Sequence, residues 1–412
     1  MVSQAQPVER VDIAIIGAGA AGLMAGIWAG RSNPQRSIVI LDSAARVGRK
    51  ILVAGGGRCN VTHHTVSADD YAGSTPPAIR KVLQRFDVAD TIAFFHELGV
   101  TLKQEPTGKL FPTTDRAQTV LEALLAAVQA TGVVIRHPRR VATLARAGDF
   151  WHLGGDWGAL AARSVVLATG GRSLPQSGSD GHGFRLAQDL GHSLTPHITP
   201  ALTPLTLPAD HFLCQLRGVS APASLSLWSG QGRRLISFTD AVLCAHFGLS
   251  GPAILNISRH YLYAVADDPA AYLTINWLPM WSEAQLEAAL QTAAQTGATP
   301  LSWLRAHLPE RLARTLCAEA GALTIQLTRE QRRRLAQLVT RCPLPITGHR
   351  GWAYAEATAG GVPLRELDLK TMQSRRCAGL FLCGEICDVD GRIGGFNFQW
   401  AWASGYVAGV SV

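Results

Sequence analysis

Short apolar runs alternate with helical patterns over the first part of the chain. Val11–Ile16 and Ser37–Leu41 are continuous, mostly β-branched runs of the length expected for buried parallel strands. Residues 23–30 between them have a helical pattern, and Val133–Arg136 predicts a further strand. Strands that alternate with helices predict an α/β fold with a Rossmann-like, doubly wound parallel sheet.

Two longer helical stretches follow the second strand. Residues 78–99 place apolar side chains roughly on one face and predict a single helix. Thr113 or Thr114 is expected to cap a second helix that runs to about Thr131, with Asp115 in its first turn.

Short β-structure is predicted beside these helices. Residues 104–112 predict a hairpin or loop, and residues 139–163 predict a small antiparallel meander around Trp151. Ser164–Gly171 is an apolar run that ends in Ala-Thr-Gly-Gly. It predicts a parallel strand whose carboxyl end lies at the sheet edge where ligands of doubly wound folds bind.

The pattern changes near residue 194 and changes back near residue 347. Prolines punctuate the start of this middle region, strand-like runs follow, and charged helical periodicity covers residues 282–340. The end of the chain predicts a strand before Glu385 and a terminal helix at Phe398–Val410. We therefore predict a Rossmann-like domain from residues 1–193 and 347–412, and an inserted domain from residues 194–346 with a sheet or β-barrel at about 194–278 and a helical part at about 279–340.

Composition excludes several classes of protein. The chain has 412 residues, of which 47% are hydrophobic and 17% are charged, as in a globular protein of two domains. No apolar stretch is long enough to span a bilayer, and the polar opening lacks a signal-peptide core. The eight cysteines are scattered without CxxC or zinc-like spacing, so we expect the reducing cytoplasm and no metal. The net charge of +8 is compatible with RNA, although many basic proteins bind no polyanion.

The strongest chemical signal is the glycine-rich turn after the first strand. Gly17 allows a tight turn, Gly19 lets the backbone approach a pyrophosphate, and Gly22 lets the following helix pack on the strand. The helix N-terminus would then direct N–H groups at the phosphates. Asp42, at the end of the second strand, is placed to accept a hydrogen bond from a ribose hydroxyl. This combination predicts a dinucleotide site.

A second glycine-rich segment carries the sequence Gly55-Gly-Gly-Arg-Cys-Asn60. Consecutive glycines allow a close backbone approach to a ligand. Arg49, Lys50 and Arg58 add positive charge that suits phosphates or a flavin ring. A flexible surface loop is the alternative interpretation, and we favour cofactor contact.

The last strand and helix carry a third group of candidates. In flavin folds built from two chain segments, an acid after a late strand lies at the ribityl chain, and Glu385 is our candidate for that contact. The N-terminus of the terminal helix would face the pyrophosphate or the flavin carbonyls. That role is assigned to Gly394, Gly395, Phe396 and Asn397.

Taken together, these motifs resemble those of the BaiN/RdsA family of FAD-dependent oxidoreductases. The likeness covers nearly the whole chain, and GGGRCN at 55–60 and GRIGG at 391–395 are specific. One departure is Asp42, where a glutamate would be usual. The resemblance implies FAD, with NADPH or NADH as a candidate transient donor, and reduction of a C=C bond in a steroid ring or in ribosomal RNA uridine. The residues assigned to the cofactor are Gly17, Ala18, Gly19, Ala20, Ala21, Gly22, Asp42, Arg49, Lys50, Gly56, Gly57, Arg58, Asn60, Val141, Thr169, Gly170, Gly384, Glu385, Gly394, Gly395, Phe396 and Asn397.

Reduction of a C=C bond also requires a proton donor. Cys59 is our first candidate, and its thiol would be reactive if Arg58 and Lys50 lower its pKa; a buried cysteine that only packs is the alternative. His246 is the second candidate, and a structural histidine is its alternative. The chain has no second GxGxxG, so a separate Rossmann-type nicotinamide domain is not expected. Either the nicotinamide binds briefly in the substrate cleft, or another reductant loads the flavin.

Three functions remain open at this point. The first is a flavoenzyme that reduces a C=C bond in a nucleic-acid base, and the second is a reductase or dehydrogenase of a small unsaturated ring. The third is a non-catalytic flavin redox sensor. A positive patch around the flavin would favour an RNA substrate over a small one. The residues proposed for that patch are Arg332, Arg333, Arg334, Arg375 and Arg376.

Overall fold

The computed structural model describes residues 8–412, which divide into two compact units. The first contains residues 8–198 and 356–412, and the second contains residues 199–355. The boundaries predicted from the sequence were 193/194 and 346/347. Because the second unit interrupts the first in the chain, the first unit is assembled from two distant segments.

The secondary structure follows in chain order. The first segment has strands β1 (Glu9–Ile16), β2 (Ile38–Leu41), β3 (Thr62–His63), β4 (Tyr71–Gly73), β5 (Leu102–Gln104), β6 (Lys109–Pro112), β7 (Val134–Arg136), β8 (Thr143–Ala147), β9 (Phe150–Gly155) and β10 (Gly158–Leu167). Its helices are α1 (Ala20–Ser32), α2 (Arg49–Gly57), α3 (Pro76–Leu83), α4 (Val88–Glu97), α5 (Ala117–Ala130) and α6 (His182–Asp189).

The inserted unit and the returning segment complete the list. The insert has β11 (Thr199–Ala201), β12 (Leu205–Thr206), β13 (Ser220–Trp228), β14 (Arg234–Ala245), β15 (Gly248–Ser250), β16 (Tyr272–Asn276), β17 (Cys342–Leu344) and β18 (Gly348–His349), with helices α7 (Pro252–Asp267), α8 (Glu283–Gln295), α9 (Pro300–Arg305), α10 (Glu310–Glu319) and α11 (Arg329–Thr340). The returning segment has β19 (Ala357–Ala359), β20 (Leu367–Asp368), β21 (Gln373–Ser374), β22 (Leu380–Leu382), β23 (Val389–Gly391) and helix α12 (Phe396–Ser411).

The main sheet of the first unit has the strand order β20-β21-β22-β10-β1-β2-β7. Five of these strands, β22, β10, β1, β2 and β7, pair in parallel. Their register aligns Ile16 with Leu41 and Leu167, and Leu167 with Leu382. Each of these strand ends is followed by a predicted motif: the glycine-rich turn after Ile16, Asp42 after Leu41, Ala-Thr-Gly-Gly after Leu167 and Cys-Gly-Glu after Leu382. The predicted Rossmann-like sheet is therefore present, and its carboxyl edge collects the predicted motifs.

Two glycines hold α12 close to α1. A Cβ on Gly405 would lie 2.6 Å from the carbonyl oxygen of Ala21, and a Cβ on Gly409 would lie 2.6 Å from that of Ala25. These glycines are four residues apart and share one face of the helix. They let the terminal helix lie against the helix that follows the glycine-rich turn.

Two predicted helices have different bounds in the structure. The helix predicted over 78–99 is two helices, because the capping box of Asp87 and Asp90 starts α4 after a break. The helix predicted from Thr113 or Thr114 begins at Ala117. Asp115 has a φ of 53° and belongs to the turn before that helix.

The meander and the next parallel strand are continuous. β8 and β9 pair antiparallel, and β9 pairs with the first half of β10. The second half of β10 continues into the parallel strand that the sequence predicted to begin at Ser164. The meander is thus an extension of the main sheet.

The inserted unit is built on an antiparallel sheet of order β17-β16-β13-β14-β15-β12-β18. β17 and β18 are at opposite edges of this sheet, yet only residues 345–347 separate them in the chain. Three residues span about 10 Å at most, so the sheet must curve strongly into a barrel-like shape. α7, which the hydrophobic pattern did not predict, begins at Pro252 after a left-handed Gly251 and contributes to a second hydrophobic core.

Among the described residues, no helix combines the length and the apolar composition needed to cross a bilayer.

Candidate functional site

The glycine-rich turn is packed tightly on one side and open on the other. A Cβ on Gly17 would lie 2.3 Å from the carbonyl oxygen of Ala168, and a Cβ on Gly22 would lie 1.8 Å from the oxygen of Gly17. By contrast, no described atom lies within 4 Å of a Cβ built on Gly19. α1 begins at Ala20, so its first N–H groups have no acceptor within the helix. The turn offers open space and N–H donors to an anionic group.

Asp42 fixes this turn from the end of the second strand. Its carboxylate accepts hydrogen bonds from the N–H of Ala18 at 2.6 Å and from the N–H of Ala44 at 2.7 Å. An ionised carboxylate has about four acceptor positions, so the predicted ribose contact is chemically available beside these two bonds. That contact stays a prediction.

A hydrogen-bonded cluster joins the two chain segments beside the turn. The Lys50 ammonium donates to Ser173 Oγ at 2.7 Å and to Glu385 Oε2 at 2.5 Å. Ser173 Oγ donates to Glu385 Oε1 at 2.8 Å. All three side chains contact one another although residues 50 and 385 are 335 positions apart. The structure thus brings together Lys50 and Glu385, which the sequence predicted separately.

Ser173 was missed by the sequence analysis, and so was Thr358. Thr358 Oγ1 accepts hydrogen bonds from the N–H groups of Arg172, at 2.8 Å, and Ser173, at 3.1 Å. A Cβ on Gly171 would lie 2.3 Å from Thr358 Oγ1. Gly171, the second glycine of Ala-Thr-Gly-Gly, therefore leaves room for the Thr358 side chain that positions Ser173. This glycine was the feature of the sequence that could have pointed to Ser173.

The second glycine-rich segment is an interrupted helix, α2. Ala54 leaves the helical conformation, and Gly55 and Gly56 have φ values of 58° and 69°. No described atom lies within 4 Å of a Cβ on Gly56, and Gly57 also has a positive φ, of 85°. At the start of the helix Arg49 donates to the carbonyl oxygen of Gln176. The predicted loop is partly helical, and its glycines form an open left-handed turn.

Cys59 lies directly after this turn and is fully buried. It has a φ of 60°, and burial raises the pKa of its thiol to about 12. Lys50 is paired with Glu385, and Arg58 is paired with Glu105 at 2.6 Å. The condition set for a reactive thiol, that these two cations lower the pKa of Cys59, is not met, because burial raises this pKa. The thiol is neutral at physiological pH, and its role as an acid stays a prediction.

Three buried polar atoms in or beside the segments predicted to bind the cofactor have no hydrogen-bond partner among the described residues. They are Asn60 Oδ1, Thr169 Oγ1 and Ser179 Oγ. Asn60 is 7% exposed and Ser179 is 5% exposed. A Cβ on Gly170 would lie 2.7 Å from Ser179 Oγ. Buried polar atoms are normally paired, so these three call for a partner that the chain does not supply.

The N-terminus of α12 is held by the segment after Cys59. A Cβ on Gly395 would lie 2.6 Å from the backbone of Thr62, and Gly394 has a φ of 127°. Asn397 exchanges two hydrogen bonds with the backbone of Gly391, at 2.9 and 3.0 Å. Phe396 is buried, and its ring stacks on His63 at a centroid distance of 5.0 Å. The Phe396 ring is therefore occupied by packing within the first unit.

The remaining candidates have local partners. The carbonyl oxygen of Val141 is 3.1 Å from His182 Nε2. His246 belongs to the inserted unit, where it is exposed on the turn between β14 and β15. Arg376 is clamped to Glu366, and Arg375 Nε donates to the oxygen of Leu367. These two arginines of the predicted positive patch therefore form hydrogen bonds or ion pairs within the first unit.

A family model described as HI0933-like protein Rossmann domain matches residues 11–411. The chain belongs to this family. A 3-dehydro-bile acid delta(4,6)-reductase from Clostridium scindens is 33% identical to it over 403 residues, 96% of this chain and 98% of that protein. A ribosomal RNA dihydrouridine synthase from Escherichia coli is 33% identical over 407 residues, 97% of each chain. The solved 3-ketosteroid delta1-dehydrogenase of Sterolibacterium denitrificans is similar with a TM-score of 0.52 at 13% identity, over 98% of this chain and 99% of that chain. That last likeness concerns the fold alone.

Like its HI0933-like relatives, the protein is an FAD-dependent oxidoreductase. The structure fits the cofactor, because the carboxyl edge has an open glycine turn with N–H donors, and Asn60, Thr169 and Ser179 bury polar atoms that lack partners among residues 8–412. No group of three His, Cys, Asp or Glu side chains suited to a metal ion is found in residues 8–412.

Proposed function

We propose that this enzyme saturates a C=C bond conjugated to a carbonyl group, and that its substrate is uridine in ribosomal RNA, converted to dihydrouridine. The observation that carries the proposal is the 33% identity over 407 residues to a ribosomal RNA dihydrouridine synthase. The net charge of +8 favours a polyanionic substrate. RNA is therefore the partner that we propose.

A small unsaturated ring is the second candidate substrate. The bile acid reductase of Clostridium scindens is related to this chain at the same identity. In uracil the C5=C6 bond is conjugated to the C4 carbonyl, and in a 3-oxo-4-ene steroid the double bond is conjugated to the C3 carbonyl. Both substrates thus present a planar C=C–C=O group whose oxygen gains negative charge when hydride is added to the far carbon.

The residues proposed to hold FAD lie at the carboxyl edge of the main sheet. The N–H groups at the start of α1 and the open space at Gly19 suit the pyrophosphate, and Asp42 suits a ribose hydroxyl. Asn60, Thr169 and Ser179 supply polar atoms that have no other partner among residues 8–412. When bound, FAD carries two electrons from a donor to the substrate. NADPH and NADH are the donors that we propose.

Lys50, Ser173 and Glu385 are proposed to position this cofactor. Glu385 is held by two donors, which fixes the direction of its carboxylate at the edge of the sheet. The Lys50 ammonium places a positive charge beside that carboxylate. The cluster therefore keeps two charged groups and one hydroxyl group in fixed positions.

Cys59 and His246 are the two candidate proton donors, and they differ in exposure to solvent. The thiol of Cys59 is buried with a pKa of about 12, which makes it a weak acid. His246 is exposed and accessible to a substrate. We therefore rank His246 above Cys59.

The experiment is anaerobic reduction of the FAD-loaded protein by NADPH and by NADH, followed by reoxidation with ribosomal RNA that lacks dihydrouridine. Reoxidation that depends on RNA, with gain of dihydrouridine, is the expected result. Reduction without a response to RNA would reject the RNA substrate and direct the search to small conjugated alkenes. Failure of both nucleotides would reject them as donors and favour a different donor or a redox sensor.

The cytoplasm is the compartment that we propose for this enzyme. The eight cysteines are all free thiols, and seven of them are buried. Free thiols persist in a reducing compartment.

A further inference from the structure

An arginine of the inserted unit is held between two aromatic rings. The guanidinium carbon of Arg350 lies 4.2 Å from the centroid of the Phe247 ring and 4.0 Å from that of the Tyr354 ring. The backbone fixes this arrangement, because Arg350 N–H donates to the oxygen of Pro204 and Leu207 N–H donates to the oxygen of Phe247, both at 3.1 Å. β12 lies between β15 and β18, so the sheet brings Phe247 and Arg350 together.

The charge of this arginine is not neutralised within the part of the chain that the structure describes. Arg58 also stacks on a ring, 4.0 Å from the centroid of Phe111, but it pairs with Glu105 at 2.6 Å. No carboxylate lies within 4.0 Å of the Arg350 guanidinium, and its side chain donates to no described residue. Both rings contact the guanidinium group, and its N–H groups have no acceptor among the described residues.

The surroundings of Arg350 offer a flat aromatic surface. The side chain of Tyr354 is 55% exposed, and His246 is exposed with its ring 5.1 Å from the Phe247 ring. A planar ring can stack on such a surface while an oxygen at its edge accepts from the guanidinium. We propose that Phe247, Arg350, Tyr354 and His246 form the recognition site for the substrate ring, with Arg350 donating to the carbonyl oxygen conjugated to its C=C bond.

This inference rests on the proposed function and names the substrate atom that accepts the hydrogen bond from Arg350. Uracil O4 and the 3-oxo oxygen of a steroid are the same kind of acceptor. A guanidinium without a carboxylate partner is a stronger donor to such an oxygen than a neutralised one. The site also accounts for His246 as a neighbour of the substrate and not only as a surface residue.

The test compares ligands that differ only at the oxygen. For RNA, the probe is a fluorescein-labelled decamer of adenosines with one central uridine, and its partner carries 4-thiouridine, whose sulfur is a weaker acceptor. For a small ring, the probe is 4-androstene-3,17-dione, and its partner carries a 3-hydroxyl group. Affinities are measured by anisotropy and calorimetry on the FAD-loaded wild type, Arg350→Gln and Arg350→Lys. The control is Arg341→Gln, since Arg341 lies 5.0 Å from the centroid of the Trp228 ring in the same unit.

We expect the wild type to prefer the oxygen ligand by roughly tenfold in at least one arm, as for a hydrogen bond to a charged group. Arg350→Gln and Arg350→Lys should both lose that preference, and Arg341→Gln should keep it. A preference in the RNA arm alone, or in the steroid arm alone, identifies the source of the ring and supports the site.

Two results would overturn the inference. The first is an absence of preference in the wild type in both arms. The second is an equal loss of affinity for both members of a pair in Arg350→Gln, which would mean that Arg350 binds phosphate or only supports the fold. Loss of preference in Arg350→Gln without dihydrouridine formation on ribosomal RNA would retain the site and reject the proposed RNA substrate.

Discussion

The two chain segments of the first unit are fastened by a buried carboxylate, and its removal should destabilise that unit. Glu366 is 6% exposed. Its oxygens accept from Ser193 Oγ at 2.6 Å and from Arg376 Nε and Nη2 at 2.9 and 2.8 Å. His192 Nδ1 lies 2.7 Å from Oε2. The substitution to examine is Glu366→Gln, which keeps the shape and removes the charge.

The network around Glu366 is rich in donors. Ser374 Oγ accepts from the N–H groups of Arg376 and Cys377, each at 3.0 Å, and lies 2.8 Å from His192 Nε2. The carboxylate of Glu366 has no donor hydrogen of its own and accepts from its neighbours. A glutamine amide at this position would bring N–H groups against donors, so it cannot replace the carboxylate.

The size of the effect follows from the pKa of Glu366. Burial alone would raise this pKa, but hydrogen bonds from Arg376, Ser193 and His192 outweigh burial and lower it from 4.5 to about 2. A shift of that size corresponds to about 3 kcal/mol of preference for the charged form in the folded state. Glu366→Gln should therefore lower the free energy of unfolding by about 3 kcal/mol, or the melting temperature by roughly 10 °C for a unit of this size.

The dependence on pH has a definite sign. Because the folded pKa lies below the unfolded one, the contribution of Glu366 is complete above about pH 4.5 and is lost as the pH falls toward 2. The wild type and Glu366→Gln should differ by a constant amount between pH 6 and 8. Their stabilities should converge as the pH is lowered below 4.5.

The assay is thermal unfolding of the FAD-loaded protein, followed by the fluorescence of released FAD. Glu97→Gln is the matched control, because Glu97 is 58% exposed and pairs with Arg31 at 2.7 Å. An exposed pair of this kind contributes about 1 kcal/mol or less. Equal effects of the two substitutions, or a difference that does not change between pH 6 and 3, would refute the reasoning.

Three further predictions concern the cofactor edge. Gly17→Ala would place a Cβ 2.3 Å from a carbonyl oxygen and should abolish FAD retention, measured as flavin absorbance per protein, whereas Gly99→Ala, at another left-handed glycine with no described atom within 4 Å of its Cβ, should retain it. Ser173→Ala removes the hydroxyl shared by Lys50 and Glu385 and should raise the Kd for FAD by roughly tenfold, with Ser177→Ala, whose hydroxyl bonds only to Leu174, as the control. Cys59→Ala should leave kcat and its pH profile within about twofold, because a buried thiol with a pKa of about 12 is a poor acid, and a loss of a hundredfold or more would restore Cys59 as the proton donor.

The sheet could be predicted from the sequence, because parallel strands buried on both faces leave a local signal. β1, β2 and the end of β10 are apolar, and they are followed by Gly17, by Asp42 and by Ala-Thr-Gly-Gly. Alignment of their carboxyl ends follows from the topology and needs no knowledge of individual contacts. Fold and cofactor edge were predictable for this reason.

The details that were missed depend on tertiary contacts or on side-chain caps. The break between α3 and α4 is decided by one capping box, at Asp87, inside a pattern that is otherwise helical. The bond between Lys50 and Glu385 crosses 335 positions of sequence. The stacking of Arg350 between two rings depends on the curvature of a sheet whose edges the sequence does not reveal. The local periodicity of hydrophobic residues does not indicate any of these three features.

The buried polar groups of the first unit are of two kinds. Some have hydrogen-bond partners within the protein, and others have none among the described residues. Glu366 has several donors and is explained by the stability that it gives to the first unit. Asn60, Thr169 and Ser179 bury polar atoms without a partner among residues 8–412, at a cost of about 1–3 kcal/mol for each atom. A ligand that forms hydrogen bonds with these three atoms removes this cost. FAD should therefore stabilise the first unit by more than the contacts between FAD and the glycine-rich turn would alone. Alanine at Ser179 should therefore stabilise the FAD-free protein and weaken FAD binding together, a combination that a purely structural serine would not give.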